Sequence, residues 1–143
     1  MKQNRFYILI ISILLVVNLN AQSVSDVVSF ADEQFEDGNY SIAAQEYNRA
    51  LYFGHVSVDI IALQIGHCYN RMEDYELASI FYDRAYIQSK SDSIKNEAIL
   101  GKTFGLLLAN KNMQVLNELL YFTDDINNTQ QIQMHFLKGI ASY

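Results

Sequence analysis

The chain has 143 residues, half of them hydrophobic, with ten Tyr, eight Phe and neither Pro nor Trp. That length bounds it at one domain, and that hydrophobic share is enough to bury a core and argues against disorder. Sixteen Asp and Glu against ten Lys and Arg leave a formal net charge of −6, and an acidic chain without a basic stripe is a poor match for a phosphate backbone, which excludes nucleic acid as a partner.

The first segment reads as an address. Lys2 and Arg5 precede residues 6–17, twelve positions without a charge, and small Ala21 follows shortly after. This order of positive region, apolar core and small residue predicts a signal peptide over residues 1–21, cut before Gln22. Twelve apolar residues fall short of the roughly 20 that span a bilayer as a helix, so membrane contact is expected only if the segment stays uncleaved. No Cys stands at the cut to take a lipid. The expectation is an exported protein of a bacterial periplasm or envelope. From Gln22 onward the excess of acid is uneven: residues 22–76 hold ten acids and two bases, residues 77–143 six of each.

Beyond residue 22 the chain repeats itself. A shift of 35 places Ala31 on Gly66, Tyr40 on Tyr75, Ala43 on Ala78, Tyr47 on Tyr82 and Ala50 on Ala85. The second half of each segment is Tyr-x-x-Ala-x-x-x-Tyr-x-x-Ala, which lines four residues along one face of a helix. Small Ala there lets a neighbouring helix come close, with Tyr rings beside it. Gly38 ends the first helix of the first pair, where a left-handed residue is wanted; Glu73-Asp74 stands at the matching turn. In a third unit Gly66 lands on Gly101 and Tyr69 on Phe104, after which the register slips by three and Tyr75, Ala78 and Tyr82 meet Met113, Leu116 and Leu120. A helix is predicted from about Ser93 to Ala109, nearly a turn longer than those before it, then a turn at Lys111-Asn112 and a helix near residues 113–122. A fourth unit begins at Gln131-Ile132, with Gly139 lying 38 after Gly101; its helix is expected either to cap the stack or to open a further hairpin of a longer protein. The expected units are therefore 24–58, 59–92, 93–130 and a partial 131–143.

This skeleton resembles the tetratricopeptide repeat, a helix–turn–helix of about 34 residues. The resemblance implies an all-α superhelix of about three full hairpins plus a final helix. It also implies that the first helix of each pair lines a concave groove for another polypeptide. Carried over by register, that face holds Val28, Asp32, Phe35 and Glu36, then Leu63, His67, Asn70 and Arg71, then Lys102 and Leu106. A chaperone-adaptor clamp for a terminal carboxylate is not implied. Its positions read Val28, Asp32, His67, Ala98 and Lys102, of which Lys102 alone fits.

Other chemistry is not expected. His67-Cys68 has the wrong spacing for zinc, because neighbours on a helix point about 100° apart and no second Cys completes a set. Cys68, the sole cysteine, reads as a small buried hydrophobe. The acidic pairs Asp32-Glu33, Glu36-Asp37, Glu73-Asp74 and Asp124-Asp125 read as solvated faces and turns, and no phosphate loop or nucleophile elbow occurs. The expected function is an exported, non-enzymatic protein-binding or scaffold module without cofactor or metal. The alternative is the docking or sensory front of a longer exported protein.

Overall fold

The computed structural model describes residues 23–121 and 128–141; the expected signal peptide lies outside them. The described residues form seven α-helices and no strand. In chain order these are α1 (Val24–Glu36), α2 (Tyr40–Phe53), α3 (Val58–Arg71), α4 (Tyr75–Gln88), α5 (Asp92–Leu108), α6 (Asn112–Glu118) and α7 (Asn128–Ala141), with a 3₁₀ turn at Leu119–Tyr121. No helix among the described residues is long and apolar enough to cross a membrane.

Local chemistry fixes the helix ends. Ser23 and Asp26 form a reciprocal capping box at the start of α1, each side chain accepting the other's backbone N–H at 3.1 Å. Asp74 caps α4 by accepting from the Leu77 N–H at 3.1 Å. The first helices of the pairs all stop the same way. Gly38, Glu73 and Asn110 are left-handed, with φ of 81°, 63° and 58°. Behind them the N–H groups of Asn39, Asp74 and Lys111 reach back to the carbonyls of Gln34, Tyr69 and Leu106 at 2.8, 3.0 and 2.9 Å. These are three copies of one Schellman stop. Only the first has the glycine that a left-handed residue favours. Glu73→Gly should therefore stabilise the fold by about 1 kcal/mol, and Asn110→Gly by less, because Asn tolerates this region; urea unfolding of both variants would show it.

These stops also measure the repeat. The interval from Gly38 to Glu73 is 35 and from Glu73 to Asn110 is 37, so the third unit slips by two, not three. Val115 and Leu119 are buried, at 0% and 3% exposure, while the expected Met113 and Leu120 stand at 71% and 79%. The reason is the length of α5, 17 residues against 14 in α3, which carries the turn two places further and rotates the faces of α6 accordingly.

The helices pack consecutively, and α3 and α5, then α5 and α7, also meet. Three clusters form the interior. Ala31, Ala43, Ala44 and Tyr47 join Ile61, Ile65 and Cys68 between the first two hairpins. Ala62, Leu63, Ala78, Tyr82 and Ala85 join Ala98. Ile99, Leu100, Leu106, Val115 and Leu119 join Leu137 and Ala141. α3 and α5 each feed two clusters, so the core is a line of shared interfaces along the stack. The repeat skeleton sits inside it: Ala43, Tyr47, Ala50, Ala78, Tyr82 and Ala85 are each at 3% exposure or less. Tyr40 and Tyr69 are half-buried, Tyr40 edge-on to Phe35 and Tyr69 stacked on Phe81 at 5.5 Å. Burial pushes the Cys68 thiol up to about 12, which suits an inert structural cysteine.

Candidate functional site

One slot recurs in all three hairpins. On α1, Asp32 accepts from the Tyr47 hydroxyl of α2 at 2.5 Å. Thirty-five residues on, His67 Nδ1 of α3 meets the Tyr82 hydroxyl of α4 at 2.9 Å. Another 35 on, Lys102 of α5 donates to Glu118 of α6 at 2.8 Å, and also to Asp83 of α4 at 2.8 Å. The acid, the imidazole and the ammonium thus do one job: each fastens a first helix to its second.

In the middle hairpin the fastener extends into a chain. Asn70 donates through Nδ2 to the Tyr82 oxygen at 3.3 Å and to the Gly101 carbonyl of α5 at 3.0 Å. His67 Nε2 lies 3.4 Å from Glu97 of α5. The hydrogen bond from His67 holds the Glu97 carboxyl below its usual value, against the opposing effect of burial. An ionised carboxylate can only accept, so Nε2 carries the imidazole proton and Nδ1 accepts from Tyr82. A tyrosine, a histidine and a carboxylate in series suggest a nucleophile relay, but the Tyr82 ring is 1% exposed. Burial raises its pKa well above the usual phenol, the opposite of an activated nucleophile. Among the described residues no group of three or more His, Cys, Asp or Glu could hold a metal ion.

Above this chain lies a concavity of about 1020 Å³, lined from α1, α3, α4, α5 and α7. Of the sequence-derived groove residues, Phe35, His67, Asn70 and Arg71 line it together. The others do not. Asp32 is tied to Tyr47. Glu36 is exposed and outside the lining, and Val28, Leu63 and Leu106 pack in the clusters. Lys102 points to the far side of α5, into the carboxylates of Asp83 and Glu118, so it is not available to a ligand in the groove.

The lining that the sequence reading missed includes an apolar row. Leu100, Phe104 and Leu108 recur every fourth residue of α5 and form its floor, and Phe136 and Leu137 of α7 close its end. Phe104, Leu108 and Phe136 remain 48%, 50% and 62% exposed. A signal existed: α5 carries this row in addition to the row at Ile99 and Leu106 that the core uses, and a helix apolar on two faces has two partners. The repeat register pairs Phe104 with Tyr69, which is half-buried, and so conceals its exposure.

Comparisons of the chain with protein-family models, curated proteins and solved structures give no match. The functional reading therefore stands on the geometry.

Proposed function

We propose that this protein is an exported binding module of tetratricopeptide type that receives a polypeptide segment in the groove of α1, α3, α5 and α7. The observation that carries this reading is the floor of Phe104, Leu108 and Phe136, large apolar side chains left open to water within a concave surface about 1020 Å³ in volume. Concave, mostly apolar surfaces with a few placed polar groups are the usual form of binding sites, and exposed aromatic anchors carry most of the energy where chains meet. Arg71, Glu73 and Gln133 supply the polar rim. An all-helical wall offers a partner no strand edge to pair with, so side chains must do the recognising.

The test is capture by a photoreactive residue placed at Gln133, in the envelope where the protein works. Changing Phe104 and Phe136 to Ala should cost at least tenfold in capture of the crosslinked partner while the helical content is kept. Changing exposed Glu76 and Arg84 of α4, outside the groove lining, to Ala should leave it unchanged. The reverse pattern would place binding on the other face. Export has its own test: the intact mass of envelope protein should show the loss of residues 1–21, and a full-length mass would show an anchor instead.

A further inference from the structure

The fastener chain under the groove holds one acceptor too many, and that sets how it must respond to a proton. The Gly101 carbonyl can only accept, so the Asn70 amide must turn its NH₂ toward α5, as the 3.0 Å contact shows. Its other atom, Oδ1, is then buried and has no hydrogen-bond partner; it points at Gly105, where an added Cβ would lie 2.6 Å from it. With His67 neutral every other group is satisfied: Asn70 donates to Tyr82 and to Gly101, Tyr82 donates to Nδ1, and Nε2–H faces Glu97.

We propose that His67 and Asn70 form a proton-dependent latch that releases the Asn70–Gly101 tie between α3 and α5 and leaves the His67–Glu97 tie, one helical turn away, to hold the two helices. When the ring gains a proton at Nδ1, both of its nitrogens donate and Tyr82 loses its acceptor. The spare acceptor beside it is Asn70 Oδ1. Turning that oxygen to Tyr82 takes the NH₂ off Gly101 and sets two acceptors together there, so that contact opens and the α3–α5 tie rests on the charge-assisted pair of His67 with Glu97. The two ties are one turn apart, Gly101 lying four residues beyond Glu97 on α5 and Asn70 three beyond His67 on α3. The groups that meet the ring are Tyr82 on α4 and Glu97 on α5; Arg71 and Cys68 of its own helix act on Tyr82, and on α2 Tyr47 is engaged with Asp32. The latch residues also line the groove, but every tie in the latch is made within the protein.

The experiment follows the side-chain nitrogens of the free protein by NMR from about pH 8 to pH 5, the range in which an imidazole changes charge. At the upper end His67 should be the Nε2–H tautomer, with the Asn70 NH₂ protected from exchange. As the ring protonates, the Asn70 NH₂ signals should shift with the same midpoint and lose that protection by tenfold or more. Tyr82→Phe keeps the ring between its neighbours but removes the displaced proton, so Asn70 should then no longer follow His67. Asn70 signals that stay fixed while His67 titrates, or an Nδ1–H tautomer at pH 8, would overturn the latch. So would a Tyr82→Phe protein whose Asn70 still follows the ring.

Discussion

Replacing Gly101 with Ala should lower the melting temperature by several degrees, although the same change favours an isolated helix by about 1 kcal/mol. The Cβ so created would lie 2.5 Å from Cζ of Tyr82 and 2.6 Å from its Cε1. The ring has little room to give, because it is 1% exposed and packs as closely on Gly66, where an added Cβ would meet it at 2.8 Å. Overpacking a filled core costs roughly 1–3 kcal/mol, enough to outweigh the propensity gain, and Gly101→Leu or Gly66→Leu should cost more than Ala. Gly139 supplies the control. It too is helical, but a Cβ there meets nothing within 4 Å, so Gly139→Ala should stabilise by about 0.5–1 kcal/mol. Thermal unfolding of the variants decides the matter by sign. If both alanines stabilise, Tyr82 is not packed against Gly101 as closely as the structure has it.

Lys102→Met should destabilise the stack by about 1–3 kcal/mol while leaving capture in the groove unchanged. The methionine keeps the packing of the stem but leaves Asp83 and Glu118 facing each other without the cation between them. The Lys102 side chain is only 14% exposed, though Asp83 is 51% exposed and water screens that partner, which holds the cost below that of a fully buried pair. Burial alone would lower the ammonium's pKa; hydrogen bonds and charge from Asp83 and Glu118 outweigh it, and the net shift is upward from 10.5. A raised pKa in the folded state means stability present at neutral pH and lost as pH climbs through the folded value. The gap between wild type and variant should therefore hold through neutral pH and narrow only above pH 10.5. Adding Glu118→Gln to Lys102→Met should recover part of the loss. A groove defect in Lys102→Met with unchanged melting would restore the lysine to the binding surface.

The hairpins were legible because their cause is periodic. Tyr-x-x-Ala-x-x-x-Tyr-x-x-Ala at one offset of 35 marks helices that must bury the same face, and Tyr47, Tyr82, Ala43 and Ala78 are indeed interior. Gly38 announced its turn. Asn110 did not, since nothing local distinguishes a left-handed Asn from one that continues a helix, and the register of α6 was misplaced by one position. The site was harder to read. Register says which residues share a face of one helix, but His67 and Lys102 occupy the same register and meet different neighbours, because the partner 15 residues on is Tyr82 for one and the partner 16 on is Glu118 for the other. Which apolar residues stay open to water is settled by what fails to cover them, and for Phe104 and Phe136 that depends on the whole stack.

The shared slot of Asp32, His67 and Lys102 has a consequence for how the chain avoids pairing with itself wrongly. Near-identical hairpins invite a first helix to close on another unit's second helix, the characteristic misassembly of repeat chains. Here α1 closing on α6 would set the Asp32 carboxylate against that of Glu118. α5 closing on α2 would bring Lys102 to the Tyr47 phenol and leave it without the two carboxylates it holds in its own unit. The first two hairpins both present a tyrosine hydroxyl at this slot and are not told apart by it. The charge at the slot therefore sets the third hairpin apart from the other two, and that part of the fidelity of assembly is written where the sequence breaks its own repeat.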